Sequence, residues 1–239
     1  MDMPERSNDR PVSLKDHFRF RCSRCTACCR HVTGVVPLNP LDVFKLTRYL
    51  RDHETGPVCT DDVLMHFASP SMLTGAGYFV YFIRSVGEDE RCVFLNGNRC
   101  SIQESKPVAC RMYPLEAAPE VDGSFHIVLS TERTHHFTGN PIKVKNWFYR
   151  NMSEDMREFY RYDFDSAPGI NKLLEAVPEE KKDVAMLLFH QYRYSDFDLD
   201  SPFMPQFKAN TEKLISELKT LAESKGGTHY GSQTERNRR

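Results

Sequence analysis

Apolar positions along the chain fall into two regimes. Up to about residue 140 they come in short clusters separated by turn residues, and beyond it they recur at i, i+3 and i+4 over long stretches. In the first regime, residues 32–38 read as a short strand. Asn39-Pro40 then supplies an N-cap and a first helical residue. The helix it opens buries Leu41, Phe44, Leu46 and Leu50 or a subset of them, and ends near residues 53–57. Thr60 caps a second short helix carrying Val63, Leu64 and Phe67, stopped by Pro70. Residues 78–83, YFVYFI, are aromatic and β-branched and predict a strand. Residues 91–95 and 99–102 predict a hairpin across Asn96-Gly97, and residues 124–130 one further strand.

In the second regime, residues 142–162, 170–177, 179–192 and 207–221 carry helical spacing. Pro178 would start the third of these helices, and Pro205 precedes the fourth. Residues 160–165 (YRYDFD) and 192–198 (YRYSDFD) echo each other and read as two similar helix ends packing aromatics. The pattern predicts an α+β fold: a small cysteine-rich metal-binding domain of short strands and helices over 18–140, then a helical portion over 141–224. Residues 1–17 read as a flexible lead-in and 225–239 as a disordered basic tail.

Composition narrows the function classes. The 239 residues include 32 basic and 33 acidic side chains, so no whole-molecule field attracts nucleic acid or an anionic membrane. The apolar runs are too short to span a bilayer, and residues 1–20 lack the apolar core of an export signal. A cytoplasmic protein with no nucleic-acid or membrane partner is the expectation; a protein partner stays open.

The cysteines change the picture most. Of eight, Cys22, Cys25, Cys28 and Cys29 fall within eight residues; Cys59, Cys92, Cys100 and Cys110 follow. In a reducing compartment such clustering points to metal or redox chemistry before disulfides. The Cys22-x-x-Cys25-x-x-Cys28 spacing can curl three sulfurs around one centre, with a fourth ligand distant in sequence. Zinc ribbons use two C-x-x-C knuckles, and no second one follows here, which favours iron–sulfur over zinc by a small margin. Neighbouring side chains of an extended chain point apart. Cys29 therefore either serves a second centre with downstream cysteines or is a spare thiol for redox work. Six arginines (Arg21, Arg24, Arg30, Arg91, Arg99, Arg111) directly flank the seven cysteines other than Cys59, where about one is expected from 20 arginines among 239 residues. Cationic neighbours favour thiolate over thiol. Arg21, Arg24, Arg99 and Arg111 are accordingly the candidates for stabilising thiolate ligands. Cys59 lacks such neighbours and reads as a buried structural cysteine. His31 and the pair His135-His136 read as surface histidines before metal ligands. The Asp196-x-Asp198-x-Asp200 run has Ser201 and Phe207 where a calcium loop needs Gly and Glu.

Four blocks in this order resemble the YkgJ-type CxxCxxCC cysteine-cluster family of zinc- or iron-chelating, or iron–sulfur-containing, proteins. They are Cys22-x-x-Cys25-x-x-Cys28-Cys29, Cys92-Val93-Phe94-Leu95, Cys100-Ser101-Ile102 and Lys106-Pro107-x-x-Cys110-Arg111-x-Tyr113-Pro114. The resemblance implies metal binding through Cys22, Cys25, Cys28, Cys29, Cys92, Cys100 and Cys110. Two positions depart from the family: Lys106 stands where Arg is usual, and Ala27 where Gly is common. The cysteine pattern is also similar to that of flagellin lysine N-methylase, which implies iron–sulfur-dependent methyl transfer. No methyltransferase motif follows residue 140, and whether the protein is an enzyme stays open. The expected cofactor is an iron–sulfur cluster, with zinc or mononuclear iron as the alternative, in electron or methyl transfer. A zinc-held interaction module and a thiol redox protein are the competing readings.

Overall fold

The computed structural model describes residues 9–53 and 56–223. The tail expected over 225–239, and residues 1–8 of the expected lead-in, lie outside the described residues. Twelve short strands and seven α-helices are present among those described, and the fold is α+β. Strands β1 (Asp9–Val12) and β2 (His17–Arg19) come first, so part of the expected lead-in is built into the fold. Then follow β3 (Pro37–Leu38), α1 (Pro40–Asp52), α2 (Thr60–Phe67), β4 (Ala68–Met72) and β5 (Phe79–Ile83). Four two-residue strands come next: β6 (Ser85–Val86), β7 (Arg91–Cys92), β8 (Leu95–Asn96) and β9 (Arg99–Cys100). After α3 (Val108–Met112) come β10 (Leu115–Pro119), β11 (Phe125–Ser130) and β12 (Pro141–Lys143). Helices α4 (Val144–Asn151), α5 (Glu154–Ala176), α6 (Lys182–His190) and α7 (Phe203–Glu223) complete the chain. No helix among the described residues is long and apolar enough to cross a membrane.

All strand pairs are antiparallel: β1-β11-β10, β3-β5-β4, and the ribbons β12-β2, β6-β7 and β8-β9. β1 escaped the sequence pattern because it is a polar edge strand with Pro11 in it, a composition tolerated only at an edge. The expected hairpin is smaller and shifted. Leu95 faces Cys100 across a turn at Gly97-Asn98, where Gly97 takes φ +58°, while Arg91-Cys92 pairs instead with Ser85-Val86.

Asn39 caps α1 as its sequence predicts, its side-chain oxygen accepting from Asp42 N–H at 2.8 Å. Pro70, expected to stop α2, lies inside β4. The helix expected over 142–162 is broken at Met152-Ser153, where Ser153 is the N-cap of α5 and Glu154 and Asp155 occupy its first turn. The break expected before Ile170 does not occur, and α5 runs through Pro168-Gly169. Proline removes one intrahelical hydrogen bond, but Met156, Phe159, Ile170 and Leu174 form one buried stripe whose packing outweighs that loss.

Two apolar clusters fill the interior. One surrounds β3-β5-β4 and the other lies under β10-β11 with α3 and α4. Helices α1, α5 and α7 each send residues into both: Leu46 and Leu41, Leu174 and Phe159, Leu218 and Phe207. Both clusters therefore draw on residues from each side of position 140. The repeated YRY segments meet across this interior. Arg193 of the second, in a π-helical turn at Gln191–Ser195, is 2% exposed and pairs with Asp163 of the first. Its guanidinium lies over the rings of Tyr78, Phe189 and Phe207 at 5.5, 5.2 and 5.3 Å. Asp163 is in mid-helix, so only the second copy marks a helix end.

Candidate metal centre

A cleft of ≈ 770 Å³ gathers Cys22, Cys25, Cys28, Cys29, Cys100 and Cys110 along its walls. Phe20, Tyr113 and Trp147 form an aromatic side to it, with Phe20 edge-on to Tyr113 and Trp147 at 5.7 and 5.3 Å between ring centres. Trp147 and Asn151 come from α4, so the helical half contributes to the cleft directly.

Four local devices bring the cysteines together. The β2-β12 ribbon pairs Arg19 with Pro141 and, with Arg21 N–H donating to the His136 carbonyl at 3.0 Å, lays the Cys22–Cys25 loop beside His135 and His136. Next, the 28–32 segment is tied to the 87–90 turn. His31 and Val32 N–H groups donate to the carbonyls of Asp89 and Glu90 at 3.1 Å each, and Asp89 takes ion pairs from both Arg30 and Arg91. That tie places Cys28 and Cys29 near Cys92. Third, the β8-β9 ribbon presents Cys100. Fourth, α3 carries Cys110, and its Pro107 N-cap offers no side-chain oxygen; the buried Asp42 of α1 supplies one, accepting from Val108 N–H at 3.0 Å.

Three sulfurs accept a backbone N–H from the residue two positions on: Cys25 from Ala27, Cys92 from Phe94 and Cys100 from Ile102. Such donors stabilise thiolate before any cation arrives. The remaining electrostatics divide the cysteines into two groups. Cys25 lies at the lip, with its Sγ 3.0 Å from His136 Nε2 and 3.4 Å from His135 Nε2, and these imidazoles bring its thiol down to about 6. Behind it, burial pushes the thiols of Cys92, Cys100 and Cys110 up, and the negative charges of their neighbours push them further. Cys28 and Cys29 are 3.8 Å apart, and the proton shared along that contact lowers Cys28 and raises Cys29. Cys28, Cys29, Cys92, Cys100 and Cys110 thus form one interacting set. Lys106 offsets part of their negative charge, favouring ionisation of Cys28, Cys100 and Cys110.

The seven cysteines singled out by their spacing are placed as follows. Cys22, Cys25 and Cys28 are exposed at the cleft, and Cys29, Cys92, Cys100 and Cys110 are half-buried. Among the flanking arginines, Arg24, Arg99 and Arg111 line the cleft, whereas Arg21 is exposed outside it. Arg111 also donates to the Glu104 carbonyl at 2.8 Å. Cys59 is exposed rather than buried. It is the N-cap of α2, held by Asp62, which accepts from the Cys59 thiol and from the Val58 N–H at 3.3 Å. His31 is a surface residue 3.6 Å from Glu90. His136 departs from the sequence reading, being 4% exposed, while His135 beside it is exposed as read, ring centres 4.2 Å apart. An adjacent histidine pair carries no periodicity signal, and only the 3-10 turn at Thr134–His136 turns both rings to one side.

The model of a protein family described as CxxCxxCC, "putative zinc- or iron-chelating domain", matches residues 21–137. No curated protein and no solved structure matches the chain.

Proposed function

Since residues 21–137 belong to the CxxCxxCC family of zinc- or iron-chelating domains, we propose that the cleft holds iron as an iron–sulfur cluster through Cys28, Cys29, Cys92, Cys100 and Cys110, with the exposed Cys22 and Cys25 at its outer edge. The carrying observation is a set of five mutually repelling, mostly half-buried thiols, of which Cys28, Cys29, Cys100 and Cys110 line one cleft and Cys92 lies close enough to repel them. Burial alone keeps such thiols protonated. A cationic centre that replaces their protons removes both the desolvation cost and the repulsion.

The donor set fits such a group. Soft thiolates select iron–sulfur clusters or zinc over hard cations, and a single tetrahedral zinc takes four ligands, fewer than the sulfurs present. Backbone donors to Cys92 and Cys100, together with Lys106, lower the charge a bound cluster presents and so tune its potential. The cleft volume lies within the ~300–1,000 Å³ of small-molecule sites, so it accommodates more than a metal centre. Bound there, a cluster supplies one-electron chemistry, and electron transfer to a molecule in the cleft is the reaction class, with methyl transfer next. Arg24, Arg99 and Arg111 add positive charge along the same walls and favour an anionic or electron-rich molecule.

Anaerobically purified protein should be brown, with iron and acid-labile sulfide in similar amounts. Colourless protein carrying only zinc overturns the cluster and turns the cleft into a zinc-held module.

A further inference from the structure

At the lip of the cleft, three donor atoms of two chemical kinds converge. The Sγ of Cys25 and the Nε2 atoms of His135 and His136 all lie within 4.8 Å of one another. We propose that Cys25, His135 and His136 form a second metal site, separate from the thiolate group, that takes one divalent ion of borderline softness, zinc or ferrous iron. This deepens the reading above by giving Cys25, at the edge of the thiolate group, an ion of its own.

Geometry carries the assignment. Sulfur and nitrogen bound to one tetrahedral ion at ~2.3 and ~2.0 Å stand about 3.5 Å apart; the separations here are 3.4 and 3.0 Å. A mixed one-sulfur, two-imidazole set is suited to zinc or ferrous iron rather than to calcium or magnesium.

The surroundings are arranged for these three residues. The backbone is left-handed at Arg24 and at Thr26, with φ of 56° and 63°, so two non-glycine residues hold an unfavourable conformation on either side of Cys25. Such strain is found where a site needs a side chain aimed against local preference. The Nδ1 of His136 is 2.9 Å from the Tyr113 hydroxyl, which can accept its N–H and leave Nε2 with the lone pair a cation needs. Tyr113 is thus a positioning residue. Cys25 and His135 are exposed, so a fourth coordination position opens toward solvent and can take water or a ligand.

The test uses the full chain prepared anaerobically, with zinc, iron and acid-labile sulfide counted on one sample and zinc affinity measured by chelator competition. Wild type should bind one zinc whose X-ray absorption shows nitrogen at ~2.0 Å and one sulfur at ~2.3 Å. His135→Ala and Cys25→Ser should each weaken zinc at least about 100-fold, and Tyr113→Phe about tenfold, with iron and sulfide unchanged. Unchanged zinc affinity in His135→Ala, a substitution at an exposed side chain, overturns the site, as does an all-sulfur zinc shell. Iron and sulfide are read independently. Their absence from every sample defeats the cluster reading alone, while the zinc data still decide this one.

Discussion

Asp42 in the first turn of α1 accepts a hydrogen bond from the backbone N–H of Val108, 66 residues further along the chain, at 3.0 Å. One carboxylate therefore serves two helix starts, its own and that of α3, and so holds the element that carries Cys110. Burial pushes the Asp42 carboxyl up to about 7 in spite of these donors. The folded protein thus keeps a proton there that the unfolded chain releases near pH ~4. Stability from this group is complete below about pH 4, declines as pH rises toward 7 and is flat above it. Denaturant unfolding of wild type and Asp42→Asn between pH 4.5 and 7 should show wild type losing up to ~1.4 kcal/mol per pH unit relative to the variant. A pH-independent difference would sink the assignment.

Asp89 bridges Arg30 and Arg91 and so joins the first cysteine segment to the strand bearing Cys92. The three side chains are 30 to 48% exposed, and the pairs are worth little for global stability. Asp89→Ala should cost only about 1 kcal/mol in urea, yet bound metal should be stripped by a chelator several-fold faster. Equal stripping rates would show that the backbone ties of His31 and Val32 suffice.

Arg193 behaves differently because it is fully enclosed. Arg193→Met leaves Asp163 without its partner and should destabilise by about 3 kcal/mol. Adding Asp163→Asn should restore a good part of that loss, since removing both charges leaves none uncompensated. If the double variant is no more stable than the single one, the ring contacts of the guanidinium matter more than the ion pair.

Cys59 provides the control for every thiol experiment. It is exposed at the start of α2 and is not among the residues lining the cleft. Cys59→Ser should leave metal content unchanged and shift stability by less than ~0.5 kcal/mol, serine being a good N-cap. Metal loss on this substitution would place a ligand where the fold has none.

Stripping the metal should lower the melting temperature of wild type, because a ligand that binds only the folded state stabilises it. Differential scanning calorimetry before and after chelation reads this directly. An unchanged transition would mean that the cleft forms without help from a metal.

The sequence by itself determined the element types wherever a local rule applied, and it determined the thiol inventory. The Asn39 cap, the aromatic strand around Phe79–Ile83 and the helices after residue 140 follow from capping, β-branching and 3.6-residue spacing. The identity of the clustered cysteines follows from their spacing and flanking charge. Only the tertiary structure decided which cysteines face one another, because their meeting depends on contacts 59 to 110 positions apart in sequence: Asp42 with Val108, Arg30 with Asp89, Cys25 with His135. Local pattern carries no information about such pairs. It likewise could not show that His135 and His136 share a face, since that needs a 3-10 turn in place of an extended chain. Pro168 inside α5 makes the same point: a buried stripe shared by α5 and α7 held together a helix that local propensity would have broken.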